Sequence, residues 1–333
     1  MTAPVQTTSV LRAYSCLLVA VVCWGVEYPL MKRATAAVGF CGTGAVMFSI
    51  SAVLLGLTLA GRRVFGRGER MPKAPGSGQR ARLPIRTMLL VGVVGITVNV
   101  LGLWAVKLTR VVNVATLARA DALFSLVLSA WVFGEPIGRR AWFFVPVMLG
   151  GIGLLTGFLL HPLEVGNPGD YLILASAFGV ALNAYAIKKA VQSVSGLVVG
   201  CVNSTMIGLF FVILVACQSR EVWQDVTAEA WAALVMLGVL AYLFFASYNT
   251  ALRSIPVWKV RLVCLLIPVV AALTAWAWFG DRPSSVQVLG MGLILAGAAG
   301  IIVVRDCPVS PASSAGGKNA AETMESGRQI CTG

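Results

Sequence analysis

The sequence contains little charge. Only 12% of its 333 residues are Asp, Glu, Lys or Arg, whereas 58% are hydrophobic and the mean hydropathy is +0.86. A soluble globular chain carries about 25% charged residues. The composition therefore excludes an ordinary soluble domain and indicates a chain that lies largely within a membrane.

Residues that carry enzyme chemistry are also scarce. His161 is the single histidine, and it stands next to Pro162 in a predicted turn. The eight cysteines form no CxxC pair and show no Cys/His spacing typical of a metal site. No Walker A sequence or nucleophile elbow is present. The sequence predicts no catalytic residue, no metal and no cofactor, and argues against an enzyme or an ATP-driven pump.

What the sequence has instead is long apolar runs. Ten of them are close to the length of about 20 residues that crosses a bilayer as a helix. They cover residues 13–31, 39–60, 87–106, 111–133, 141–160, 171–187, 197–217, 228–251, 256–279 and 286–304. We predict an all-α membrane protein with ten transmembrane helices, followed by a disordered tail at 305–333 that is rich in Ser, Gly and Ala.

Basic residues fall mainly on one side of this arrangement. With a cytoplasmic N-terminus, 19 Lys and Arg residues lie inside and 6 lie outside, and eight of the 19 are in the loop 61–86. Cytoplasmic loops of membrane proteins carry such an excess. The pattern predicts a multi-pass protein of a bacterial inner membrane with both termini cytoplasmic. It accounts for the net charge of +13 without nucleic-acid binding.

The chain contains an internal repeat. Residues 111–157 align without a gap on residues 257–303 at an offset of 146, and in both copies an apolar run ends at Phe-Gly-acid before a Gly-rich run. Near the start of each half, a second alignment at an offset of 156 places Glu27 opposite Asn183. We predict two repeats of five helices each, over residues 1–160 and 161–304.

An odd number of helices per repeat inverts the second copy relative to the first. Inverted repeats are a common design of secondary transporters, which hold the solute near the middle of the bilayer and open the site to each side in turn. The predicted architecture therefore favours alternating-access transport.

The motifs resemble those of a known family. The chain is similar to the ten-helix, EamA-type members of the drug/metabolite transporter superfamily over about residues 13–304. The motifs that carry the resemblance are Trp24-Gly25, Phe133-Gly134-Glu135 followed by Gly150-Gly151, Ile267-Pro268 and Phe279-Gly280-Asp281. The resemblance implies a secondary transporter of amino acids, metabolites or drugs. One departure is Asp121-Ala122, preceded by Arg119, where the family usually has a Ser-Pro-like pair.

Charges within predicted spans are candidate functional residues, because they are costly in lipid. Glu27 could couple transport to protons or bind a solute amine, or it could reach the outer interface and pair with Lys32 or Arg33. Arg119 could bind a carboxylate or phosphate and Asp121 an amine or a proton; alternatively they form structural pairs, such as Asp121 with Lys259 or Arg119 with Glu27. Lys259 and Arg261 are expected to snorkel to the cytoplasmic interface, or to form an inner gate.

Amides and aromatic rings in apolar walls are typical of small-molecule sites. The uncharged candidates are Trp24, Asn99, Trp104, Asn183, Tyr185, Tyr248 and Asn249. Each could instead link helices. Small residues at four-residue spacing, Gly153/Gly157 and Gly292/Ala296/Gly300, favour close helix packing within the chain or in a homodimer.

We therefore predict a secondary active exporter of a small polar metabolite, amino acid or drug-like solute, driven by protons or by exchange. Two alternatives remain from the sequence. One is a facilitative exchanger of a charged organic metabolite. The other is a membrane scaffold or sensor that transports nothing, although such a protein has no need of a mid-bilayer Arg119. The expected partners are a small solute, protons and the lipid bilayer.

Overall fold

The computed structural model describes residues 5–65, 85–109, 117–132, 137–157, 167–217, 226–280 and 282–303, with Leu159 and Trp223. Several sequence predictions lie outside these residues. They are most of the basic loop, the start of the fourth apolar run, the Phe133-Gly134-Glu135 motif, His161, Asp281 and the tail.

The described residues form helices joined by turns, with no strand among them. The helices are α1 (Val5–Val64), α2 (Ile85–Leu108), α3 (Ala120–Trp131), α4 (Arg139–Leu155), α5 (Pro168–Ser193), α6 (Gly196–Ala216), α7 (Ala228–Ser254), α8 (Val257–Val263), α9 (Ile267–Phe279) and α10 (Ser285–Val303). Within this part of the chain, seven helical stretches are long and apolar enough to cross a membrane, if α1 and the α8–α9 pair count once each; α3 and α4 are shorter and apolar. The all-α membrane class is confirmed.

Helix α1 contains two of the predicted runs. Gly39 has φ 68° and ψ 174°, a conformation that glycine adopts readily and that interrupts the helix. Trp24, before this point, packs on Phe244 of α7 with ring centroids 4.9 Å apart. Phe48, after it, packs on the adjacent Phe245 with centroids 6.3 Å apart. The two arms of α1 therefore lie side by side against α7.

Helices α8 and α9 form one broken span. A single 3₁₀ turn, Cys264–Leu266, separates them just before Pro268, whose missing N–H suits the first turn of α9. Every residue from 257 to 267 is buried, because α8 is packed among α1, α3, α5, α7 and α10. This broken helix therefore lies inside the bundle, and its first half has no exposed face.

The outer surface of the bundle is apolar. Leu89, Leu90 and Val93 of α2 are more than half exposed, as are Leu57 of α1 and Leu289 of α10. A soluble protein would not present such side chains along whole helices, whereas lipid accepts them. The surface agrees with the multi-pass membrane class.

Helices α4 and α10 approach closely at glycines. A Cβ atom added at Gly151 would lie 2.8 Å from the carbonyl oxygen of Gly290, and one at Gly290 would lie 2.6 Å from that of Gly151. A Cβ at Gly300 would collide with the ring of Phe144. Of the glycines that the sequence offered for close packing, Gly300 is used between these two helices, whereas a Cβ at Gly157 or Gly292 would meet no described atom within 4 Å.

We expect Gly151→Ala to lower stability by roughly 1–3 kcal/mol, because the added methyl group meets backbone atoms of α10 that cannot move aside. Its neighbour Gly150 has open space within 4 Å, so Gly150→Ala is the matched control. That change should stabilise the helix by up to about 1 kcal/mol. Thermal inactivation in detergent, followed by size-exclusion chromatography, measures both. Equal inactivation temperatures would contradict the packing.

Candidate translocation cavity

A cavity of about 210 Å³ lies among α1, α2, α5, α6, α7 and α8. This is smaller than the pockets of about 300–1,000 Å³ that hold drug-sized ligands. Its polar lining consists of Glu27, Thr43, Asn99, Asn183, Asn203 and Arg261, and its aromatic lining of Trp24, Phe40, Phe48, Phe244, Phe245 and Tyr248. The mixture suits a small polar solute with an apolar part.

Glu27 is the acidic residue of this lining. It follows Trp24 by three residues and precedes Met31 by four, so all three share one face of α1 and line the cavity. The side chain is 2% exposed, and its Oε1 atom has no hydrogen-bond partner among the described residues. No residue in the described part of the chain forms an ion pair with Glu27. Among the described residues, Glu27 therefore neither reaches the outer interface nor pairs with Lys32, Arg33 or Arg119.

Three asparagines place amide groups around the cavity. Asn99 of α2 donates to the carbonyl of Gly95, 2.8 Å away, within its own helix. Asn183 of α5 and Asn203 of α6 each have a buried Oδ1 atom without a hydrogen-bond partner in the described part of the chain. Buried polar atoms normally find partners, so these two oxygens are available to a bound molecule.

Asn203 was missed in the sequence. The signal was present, because Asn203 begins a short polar stretch, Asn203-Ser204-Thr205, within an apolar run. Asn99 and Asn183 were predicted as site residues, and the structure places both on the cavity together with Trp24 and Glu27.

Arg261 is the basic residue of the lining. It is 3% exposed and forms an ion pair through Nη2 with Oδ2 of Asp121, which α3 contributes. Its Nη1 donates to the hydroxyl of Tyr248 at 3.4 Å, and its guanidinium lies 5.8 Å from the centre of the Trp24 ring. The expectation that Arg261 snorkels to the membrane interface is wrong, because α8 is enclosed on all sides.

Lys259 is likewise buried, at 1% exposed, and does not snorkel. Its Nζ lies 5.7 Å from the centre of the Tyr14 ring and 6.0 Å from that of Trp258, away from the cavity lining. The suggested pairing of Asp121 with Lys259 is corrected to Asp121 with Arg261. The two basic residues stand so close together in α8 that the sequence pattern does not distinguish which of them faces α3.

Arg119 is half-buried at the start of α3. Its Nη2 donates to the hydroxyl of Tyr28 at 3.0 Å. Tyr28 follows Glu27 in α1, so Arg119 is held beside the cavity without forming part of its lining.

Two other predicted site residues connect helices instead. The hydroxyl of Tyr185 in α5 donates to the carbonyl of Ser125 in α3 at 2.9 Å and also contacts the hydroxyl of Ser129. The Nδ2 atom of Asn249 in α7 donates to the carbonyl of Gly196 in α6 at 2.9 Å. Trp104, at 56% exposed, faces outward. These side chains lie outside the cavity lining.

Tyr185→Phe should therefore lower stability by roughly 1–3 kcal/mol, because the buried hydrogen bonds of its hydroxyl with the carbonyl of Ser125 and the hydroxyl of Ser129 are lost. Solute affinity should not change. Asn183→Ala, two residues away in the same helix, is the matched control and should lower solute affinity with little loss of stability. Melting temperature and dissociation constant, measured on both variants, test this separation. Loss of affinity in Tyr185→Phe would contradict it.

Comparison with known proteins agrees with this arrangement. The profile of the EamA-like transporter family matches the chain twice, over residues 11–157 and 167–303. The chain is 26% identical over 203 residues, 58% of its own length and 68% of the relative's, to a "Probable amino-acid metabolite efflux pump" of Salmonella typhimurium.

Two further likenesses cover more of the chain. It is 23% identical over 299 residues, 88% of its length and 93% of the relative's, to a "Probable terminal-alkyne amino-acid exporter" of Streptantibioticus cattleyicolor. A crystal structure of a protein with 18% identity shares the fold with a TM-score of 0.69, over 88% of this chain and 96% of that one. The chain belongs to the EamA-like transporter family and is a multi-pass membrane transporter, not an enzyme.

Proposed function

We propose that the protein is a secondary active exporter of a small amino-acid-like solute. It works by alternating access between two inverted repeats of five helices, residues 1–160 and 161–304, in a bacterial inner membrane with both termini cytoplasmic. The observation that carries the proposal is the composition of the cavity wall, which draws on equivalent positions of the two halves.

The repeat alignment extends into the helices around the cavity. At an offset of 146, Gly92 in α2 aligns with Gly238 in α7; at an offset of 156, Gly44 in α1 aligns with Gly200 in α6. Seven aligned pairs line the cavity with both members: Trp24 and Val180, Glu27 and Asn183, Met31 and Ile187, Met47 and Asn203, Gly95 and Ala241, Val98 and Phe244, and Asn99 and Phe245. A site shared by equivalent positions lies on the axis that relates two inverted repeats.

The helix contacts follow the same symmetry. Helix α1 packs on α7, and α5 and α6, its counterparts in the second half, pack on α2, the counterpart of α7. Helix α4 packs on its own counterpart, α10. Two halves that meet in this reciprocal way support rocking about a central site.

The chemistry of the lining supports an amine-bearing solute. The carboxylate of Glu27 attracts an ammonium group, and the available oxygens of Asn183 and Asn203 accept hydrogen bonds from it. The rings of Trp24 and Phe244 cover an apolar side chain. The names of these two relatives, an amino-acid metabolite efflux pump and an amino-acid exporter, agree with this class of solute.

The same carboxylate supports proton-driven export. Glu27 binds either a proton or the ammonium group of the solute, because each neutralises the same charge. Binding of one therefore excludes the other, and a proton entering the cell in exchange for a solute leaving it drives export. Arrival of the proton at Glu27 on the outer side releases the solute there.

The experiment is transport in proteoliposomes that contain the purified full chain. The twenty radiolabelled L-amino acids are tested singly, with a pH gradient across the bilayer, and empty liposomes are the background. We expect one or a few amino acids to move against their gradient and the movement to stop when an ionophore removes the pH gradient. Exchange that ignores the gradient would instead identify a facilitative exchanger, and no transport of any amino acid would overturn the proposed solute.

A further inference from the structure

The ion pair between Asp121 and Arg261 lies at the wall of the cavity and is incomplete. Oδ2 of Asp121 contacts Nη2 of Arg261, whereas the Nε atom of Arg261 is buried without a hydrogen-bond partner among the described residues. A guanidinium group carries five N–H donors, and its Nε and Nη2 donors point the same way as a fork. The Nε donor of Arg261 is therefore left without an acceptor in a buried site.

We propose that the carboxylate of the solute replaces Asp121 on Arg261, so that this ion pair selects solutes with a free carboxylate. The inference rests on the proposed function and adds to it a second recognition point, distinct from Glu27. A solute that bears both an ammonium and a carboxylate group would then meet Glu27 on α1 and Arg261 on α8, two charged residues of one lining.

Displacing Asp121 costs free energy with any solute, because its buried carboxylate loses its counter-ion, and a solute carboxylate offsets this cost better than a neutral group does. A carboxylate that binds Nε and Nη2 together satisfies both donors and keeps the guanidinium neutralised. An amide offers one neutral oxygen and leaves Arg261 without a counter-ion in a buried place, which is costly. Asp121 thus acts as an internal competitor that neutral solutes do not displace.

The choice of Arg261 over other cations follows from placement. Lys259 is buried beside Tyr14 and Trp258, outside the lining, and Arg119 is engaged with Tyr28. Among the described residues, Arg261 is the cation that lines the cavity. The ring of Trp24, whose centre lies 5.8 Å from the guanidinium, adds a cation–π contact to this site.

Replacement of Asp121 on Arg261 also removes a contact between the two halves of the chain. Asp121 belongs to α3 in the first half and Arg261 to α8 in the second, so their ion pair joins the halves at the wall of the cavity. A solute that takes Arg261 removes this connection at the moment it binds. Occupation of the site and freedom of the halves to rock are thereby linked.

Binding of acids and amides tests the inference. Each of the twenty L-amino acids and its α-amide is titrated against the full chain in detergent, by thermal shift and calorimetry. Wild-type protein should bind its preferred acid about 10-fold or more tightly than the amide, as a charge-assisted hydrogen bond provides. Asp121→Asn should bind the acid about 10-fold more tightly than wild type, because the competing charge is gone. Arg261→Gln should lose the preference.

Arg261→Lys provides a test that does not require loss of charge. It keeps the cation but lacks the fork, so the preference for the acid should fall several-fold. Arg253→Gln and Glu229→Gln, which change exposed charges at the ends of α7, are the matched controls.

Equal affinity of wild-type protein for an acid and its amide, or an unchanged preference in Arg261→Lys, would overturn the inference while amino-acid transport stands. If no amino acid binds the wild-type protein, both the inference and the proposed solute are wrong.

Discussion

Glu27→Gln will reduce transport driven by a pH gradient by roughly 100-fold. Glutamine fills the same space and can accept a hydrogen bond, but it neither carries charge nor releases a proton. The ammonium group of the solute loses a charged partner in a buried site, an interaction worth about 1.5–3 kcal/mol, or roughly 10- to 100-fold in affinity. The site also loses the group for which proton and solute compete, so the gradient no longer drives movement.

The measurement is the initial rate of solute movement in proteoliposomes at several pH gradients. Glu229→Gln makes the same chemical change at an exposed position in the first turn of α7 and is the matched control. It should retain wild-type rates. If Glu27→Gln transports at the wild-type rate and still responds to the pH gradient, proton coupling through Glu27 is wrong.

Breaking the Asp121–Arg261 ion pair on one side will destabilise the protein more than removing both partners. Asp121→Leu leaves a buried guanidinium uncompensated, and Arg261→Met leaves a buried carboxylate. Each single change should cost about 3–5 kcal/mol, whereas apolar residues at both positions should restore most of that loss. The comparison forms a double-mutant cycle.

The cycle is read from the midpoint of thermal inactivation in detergent without solute. Each single variant should fall by at least about 5 °C, and Asp121→Leu/Arg261→Met should lie closer to wild type. Double and single variants that lose stability additively would contradict a direct pair. Transport separates stability from function: the double variant, though folded, has neither charge and should not select solutes with a carboxylate.

Much of the candidate site could be predicted because charge and amides within apolar runs are conspicuous. Glu27, Asn99 and Asn183 stand out in this way, and the repeat offset by itself aligns Glu27 with Asn183. The kink at Gly39 is also marked by the polar interruption between the first two runs. These predictions need only the order of residues along the chain and do not require knowledge of which helices pack together.

Whether the other polar side chains face the cavity or another helix depends on neighbouring residues that the sequence alone does not identify. Arg261 stands near the start of the apolar run 256–279, where an arginine ordinarily reaches the interface. Five surrounding helices enclose α8 and turn Arg261 toward Asp121 and the cavity. In the sequence, Tyr185 resembles a site residue just as Asn183 does. Because the two stand two residues apart on α5, they point to different sides of the helix, and Tyr185 faces α3. The direction of a side chain around a helix is set by packing.

The enclosure of α8 affects which amino-acid substitutions the transporter tolerates. Helices that touch lipid must keep apolar side chains on that surface, which limits the substitutions they tolerate. Residues 257–267 touch only protein, so the bilayer places no such demand on them. New polar groups can enter the wall of the cavity there without impairing insertion of the chain in the membrane. Solute preference is thereby free to diverge while the lipid-facing shell stays the same.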